Sequence, residues 1–168
     1  MKKEFTIVII ILLVVVAIGF FVLHDFNLNV NSTSNNVVKQ SGSIDSSGVI
    51  HVGDISYTMP EGYKQGETND LGHIAITNGS NKIFFAVYDD KSVDFLSEEY
   101  MNYTKAHNQT ATVSKFTENG IDVTKNVNDQ VGATHCWFNH NGKVYTIYTW
   151  AKTPNDDKII SNLINSIK

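Results

Sequence analysis

The sequence predicts an α+β fold, a largely antiparallel sheet of about six or seven strands with helices packed on it, preceded by one N-terminal transmembrane helix. Three observations predict it. Asn119-Gly120 and Asn141-Gly142 each lie between runs of strand-forming residues, and Asn-Gly is a strong hairpin signal because both positions tolerate positive φ. Ile159, Ile160, Leu163, Ile164 and Ile167 recur at helical spacing near the C-terminus, which makes one apolar stripe. Phe5 to Leu23 form an uncharged apolar run of 19 residues, long enough to cross a bilayer as a helix.

That run sets the topology of the chain. The apolar region of a cleaved signal peptide is usually about 7 to 15 residues and ends at a small-residue cleavage site. Here the run is longer and no such site follows, so retention as an anchor is expected. Lys2 and Lys3 precede it and the next lysine is Lys39, so the positive-inside rule places residues 1–4 in the cytoplasm and everything after residue 23 outside. Residues 24–48 are rich in Asn, Ser and Val, with no aromatic after Phe26. They predict a flexible tether, which as a coil would span roughly 25 to 30 Å. Residues 49–168 then suit one domain with its own core.

Within that domain, Val49 to Val52 predict a short strand and Ile55 to Met59 a second, stopped by Pro60 and Gly62. A third hairpin is expected at Asn78 to Asn81, between LGHIAIT and KIFFAVY. Ser92 to His107 predicts a helix, with Leu96, Tyr100, Tyr103 and His107 spaced by three and four and Asp94, Glu98 and Glu99 toward its N-terminal end. Four strands follow, around the two Asn-Gly turns. The last helix has Thr153 as its cap, Pro154 at its first position, and Asp156 and Asp157 to complement its dipole.

ISYTMPEGY resembles the first strand and turn of PsbP-like domains, with an aromatic two residues before a hydrophobic-Pro-x-Gly-aromatic turn. IISNLINSI, after a paired aromatic strand, is similar to their terminal helix. The resemblance spans about Ile55 to Lys168 in element order, and only these two patterns in residues. It implies an α/β/α sandwich and an accessory or binding role outside the membrane. No catalytic or metal residue carries over, because no site motif of the family is matched.

Composition excludes several partners. With Lys2, Lys3 and Glu4 set aside, 11 lysines face 16 acidic residues, a net of −5, and the chain has no arginine. Phosphate binding favours a basic surface, so no nucleic acid is expected, and the only membrane contact expected is through the N-terminal helix. A single cysteine makes no intramolecular disulfide. Asn31, Asn78, Asn102 and Asn108 stand in N-x-S/T patterns, glycan acceptors where the host has the machinery.

Candidate chemistry centres on HCWFNHNGK, His135 to Lys143. A two-residue loop at Asn141-Gly142 pairs His140 with Lys143, Phe138 with Tyr145, Cys136 with Ile147 and His135 with Tyr148. Neighbours on a strand point to opposite faces, so His135 and Cys136 are not expected to act as a nucleophile-base pair. Cys136 and His140 share a face but stand roughly 13 Å apart at strand rise, too far to ligate one metal ion. Cys136 is expected as a buried small hydrophobe on the face of Phe138, Tyr145 and Ile147. The other face carries His135, Trp137, Tyr148 and Trp150. There His135 is either a satisfied, semi-buried histidine or part of an aromatic-lined ligand pocket.

Asp89, Asp90, Asp94, Glu98 and Glu99 gather around a helix start, where oxygen ligands for a divalent cation are one reading, but the spacing fits no calcium loop. His51, His73 and His107 are dispersed along the chain. No P-loop, dinucleotide fingerprint, H-E-x-x-H or G-x-S-x-G is present. No catalytic residue, metal or cofactor is therefore assigned. The expected function is a membrane-tethered binding or accessory domain outside the cytoplasm, taking a protein, an envelope component or a small molecule. Two alternatives stand: an extracytoplasmic hydrolase with His135 or His73 as its base, and a structural surface protein.

Overall fold

The computed structural model describes residues 41–150 and 156–168. The predicted transmembrane helix, the predicted tether up to residue 40, and the Thr153 cap with Pro154 lie outside the described residues. Among the described residues, no helix is long and apolar enough to cross a membrane. The elements run β1 (Gly42–Ile44), β2 (Val49–Val52), β3 (Ile55–Thr58), β4 (Lys64–Gln65), β5 (Ile74–Thr77), β6 (Lys82–Tyr88), α1 (Val93–Ala106), β7 (Thr112–Glu118), β8 (Ile121–Asn128), β9 (Ala133–His140), β10 (Lys143–Thr149) and α2 (Asp156–Asn165). This is the predicted α+β class and order.

Turn chemistry sets the pairing. Asn119 and Gly120 have φ of 52° and 74°, and Asn141 and Gly142 have φ of 49° and 77°, the left-handed pair that a two-residue hairpin loop requires. The second turn holds β9 and β10 in the predicted register, His140 opposite Lys143 through His135 opposite Tyr148. At Asn78 the side-chain oxygen accepts from the backbone N–H of Ser80 and Asn81, closing the third hairpin.

β4 to β10 form one antiparallel sheet in the order β4-β5-β6-β10-β9-β8-β7. β1, β2 and β3 make a separate three-stranded sheet. One face of the large sheet carries Phe85, Cys136, Phe138, Tyr145 and Ile147, packed with Ile50 and Tyr57 of the small sheet and Ile160, Leu163 and Ile164 of α2. The opposite face carries Ala133, Trp137 and Val144 beneath Leu96 and Tyr100 of α1. With both faces covered, β9 and β10 are buried along nearly their whole length on either side.

Three expectations are corrected. Residues 42–44 fall in the predicted tether but form β1, paired with β2 from Gly42 opposite Val52 to Ile44 opposite Ile50. A strand this short, in a Gly/Ser-rich stretch, is held by its partner and leaves no period-2 signature. Second, the strands at 49–52 and 55–58 build a sheet of their own. Third, α1 buries Leu96, Ser97, Tyr100 and Thr104, whereas His107 is exposed. The helix is turned so that Ser97 Oγ donates to Asn126 Oδ1 at 3.0 Å and Asn126 Nδ2 donates to the Ser97 carbonyl at 3.2 Å. A buried polar pair outweighs the apolar spacing here, because leaving either partner dry and unbonded costs more than leaving Tyr103 only partly buried.

Gly53 joins β2 to β3 at φ 54°, and a Cβ there would lie 2.9 Å from Tyr145 Oη, the atom that accepts from the Asp54 N–H at 3.1 Å. Gly53→Ala should therefore lower stability by about 2 kcal/mol through backbone strain plus displacement of that hydroxyl. A shift in urea midpoint at unchanged m-value would show it.

Candidate functional site

Strand register brings the predicted aromatics together. Tyr148 lies opposite Phe84 on one side and His135 on the other, and His135 lies opposite Asn126. One row therefore crosses β6, β10, β9 and β8. Phe84 and Tyr148 stack with ring centroids 5.0 Å apart. Tyr148 and His135 stack at 4.9 Å and 4°. Trp137, two residues along β9, continues the stack at 5.4 Å, and Trp150 meets His135 edge-on at 5.2 Å. All four residues expected on this face, His135, Trp137, Tyr148 and Trp150, share one wall.

α1 covers its β9 part. The Tyr100 ring lies 4.4 Å from His135 and 6.0 Å from Trp137. His135 is only 7% exposed, Trp137 and Tyr148 are buried, and Trp150 is 38% exposed at the rim. The expectation of a satisfied, semi-buried histidine is thus corrected: His135 is buried, and its Nε2 has no hydrogen-bond partner among the described residues. Burial, with a smaller contribution from His73, pushes its pKa down to about 3. The ring is a neutral imidazole at pH 7.

A second histidine joins from a place that sequence reasoning left unassigned. His73, just ahead of β5, has Nδ1 2.8 Å from Tyr148 Oη, and Asn69 Nδ2 donates to the same oxygen at 2.8 Å. Asn69 Oδ1 accepts in turn from the Leu71 and His73 N–H groups, so a small loop clamps the phenol. Burial lowers the His73 pKa to about 4 and holds the Tyr148 phenol well above its usual range. With Asn69 donating to Tyr148 Oη, the phenol proton is free to point at His73 Nδ1. Residues 69 and 73 could have been placed here only by knowing that β5 lies beside β6 and β6 beside β10.

Cys136 faces the opposite core, fully buried, and desolvation raises its thiol to about 12. Strand alternation therefore separates it from His135, as the hairpin predicts. The acidic residues near α1 are spread: Asp94 lies 3.5 Å from Lys115 and Asp89 lies 3.7 Å from Lys143. Among the described residues, no group of three His, Cys, Asp or Glu side chains stands ready to hold a metal ion. A groove of about 450 Å³ opens between the first turn of α1 and β7–β8, lined by Ser92, Asp94, Lys115, Thr117, Asp122 and Asn139 among others, but by none of the four aromatic-wall residues.

The PsbP-like resemblance read from the first strand-turn and the closing helix is met by similarity of fold among solved structures. The chain is similar to the solution structure of cyanobacterial PsbP (CyanoP) from Synechocystis sp. PCC 6803, at 12% identity and a TM-score of 0.44, covering 80% of this chain and 96% of that one. It is also similar to a crystal structure from Bacteroides thetaiotaomicron VPI-5482, at 10% identity and a TM-score of 0.40, covering 77% of this chain and about half, 48%, of that one. This is a weak likeness of fold alone. No family description matches the sequence, and no curated protein matches it.

Proposed function

We propose that the chain is a binding or accessory domain without catalytic activity, anchored in a membrane by residues 5–23 and displayed outside the cytoplasm, where it engages a protein, an envelope component or a small molecule. The observation that carries this reading is the aromatic wall, which reaches the surface at Trp150 and is held from behind by His135 and Tyr148. An aromatic anchored on a rigid stack offers contact area at little cost in conformational entropy, the property that makes Trp and Tyr frequent binding hot spots. A general base works best with a pKa near the operating pH. His135 at about 3 and His73 at about 4 are weak proton acceptors, which favours binding over a histidine-based hydrolase.

The chain's two tryptophans make the test direct. Trp137 is buried and Trp150 half-exposed, so a ligand docking at the rim should change the fluorescence of Trp150. The full chain in a non-ionic detergent would be titrated with envelope glycans, peptides and solubilised membrane proteins. Trp150→Ala should weaken any binding found by roughly tenfold or more. Turnover of ester, phosphate or glycoside substrates that disappears on replacing His73 or His135 would sink the proposal.

A further inference from the structure

We propose that α1 is an acid-released cover: protonation of His135 favours a state in which α1 has lifted from the large sheet while the sheet and α2 stay folded. This goes beyond the binding reading and is tested without any ligand. Its basis is the way His135 is enclosed. The imidazole lies under the Tyr100 ring of α1 at 4.4 Å and against the Tyr148 ring of β10 at 4.9 Å. Trp137 flanks it on its own strand and Trp150 closes the rim edge-on. Its Nε2 is buried with no hydrogen-bond partner among the described residues. A proton arriving at that nitrogen would put a charge where neither water nor an acceptor meets it.

Among the described residues, no carboxylate compensates. The titratable groups facing His135 are Tyr100 from α1, Tyr148 from β10 and, further off, His73 from the segment before β5, which itself disfavours a positive ring. Glu99 of α1 acts on Tyr88 instead. The stacked rings offer π-face attraction, but this is weaker than the hydration that a buried cation loses. The charged ring is therefore stable only where it reaches water, and among the described elements α1 lies over it through Tyr100.

α1 is also the element that can leave locally. Its underside buries Leu96 and Tyr100 beside the polar Ser97 and Thr104, with Val93 and Met101 partly buried against the same small cluster. The larger core lies on the opposite face of the sheet, with α2 and the small sheet. Elements held by few apolar contacts open below the global unfolding free energy. The sign follows from proton uptake: the lifted state takes the proton near the ordinary histidine pKa of 6.5 and the covered state only near 3. Acid therefore favours lifting, and the effect vanishes above about pH 6.5. Between pH 7 and pH 5 the lifting equilibrium should rise roughly 25-fold.

Hydrogen exchange of the full chain in a non-ionic detergent, corrected for intrinsic rates, tests this from pH 7 to pH 4.5. Amides of residues 93–106 should lose protection by tenfold or more while β8 to β10 keep theirs, and His135→Phe should flatten the profile. Protection in α1 that stays constant, or falls together with that of the sheet, would overturn the proposal. So would a His135→Phe variant that keeps the wild-type profile. Should that variant fail to fold, NMR titration of the His135 ring in the wild-type chain decides. The ring and the α1 amides should change in one transition; a ring that titrates near pH 6.5 while α1 stays protected overturns the cover.

Discussion

Asn81→Leu is expected to lower the unfolding free energy by about 3 kcal/mol, although the side chain carries no charge and touches no ligand. Asn81 is buried at the turn between β5 and β6. Its Nδ2 donates to Asp156 Oδ1 at 2.6 Å and its Oδ1 accepts from Thr149 Oγ1 at 2.9 Å. Its backbone carbonyl accepts from Thr77 Oγ1. One amide thus ties the β5–β6 turn to the end of β10 and to the first residue of α2. Asp156 is fully buried, so the change takes one close donor away from a desolvated acidic group and leaves Thr149 Oγ1 facing an apolar side chain. Leucine has the same branched shape and a larger volume, so none of the loss would come from a cavity. Chemical denaturation at pH 7 gives the value, and a change below about 1 kcal/mol would show that Asn81 is not a structural node.

Phe138→Ala should cost about 4 kcal/mol. Phe138 lies on β9 in the interior of the large sheet, fully buried, stacked on Tyr145 at 5.8 Å, opposite Val123 on one side and Tyr145 on the other. The strands around it are pinned on both sides and give little room for collapse, so the transfer and cavity costs add. Domains of this size hold about 5 to 15 kcal/mol, so the variant should lose a large part of its thermal stability. Calorimetry measures it; a fall in Tm of only one or two degrees would mean that the site relaxes.

What was legible in the sequence was local chemistry. The register of β9 and β10 follows from two residues, Asn141 and Gly142, because their backbone angles leave one hairpin geometry. From that register came both faces of the hairpin, the separation of Cys136 from His135, and the gathering of His135, Trp137, Tyr148 and Trp150. What was illegible was non-local. Sheet order places β6 next to β10, so Phe84 and His73 complete the aromatic wall from positions about 60 to 75 residues away, and no turn chemistry encodes that adjacency. The roof was misread for another reason: α1 buries Ser97 and Thr104, and an apolar-spacing rule does not look for serine. The apolar spacing places Leu96 and Tyr100 inward, where they are; Asn126 turns the helix further, so that Ser97 is buried beside them.

β1 gives the domain a mechanical property. Ser41 is where the described fold begins, its N–H bonded to the Gly72 carbonyl and its hydroxyl to the Phe85 carbonyl. The next residue, Gly42, pairs with Val52 at the end of β2, and a side chain on it would collide with the His51 carbonyl at 2.0 Å. Tension applied at Ser41 would first part its bonds to Gly72 and Phe85 and then reach the hairpin at one end, where the backbone bonds break one after another rather than in parallel. β1 would peel as a short fuse, freeing a few residues of chain ahead of β2 while the seven-stranded sheet stays whole.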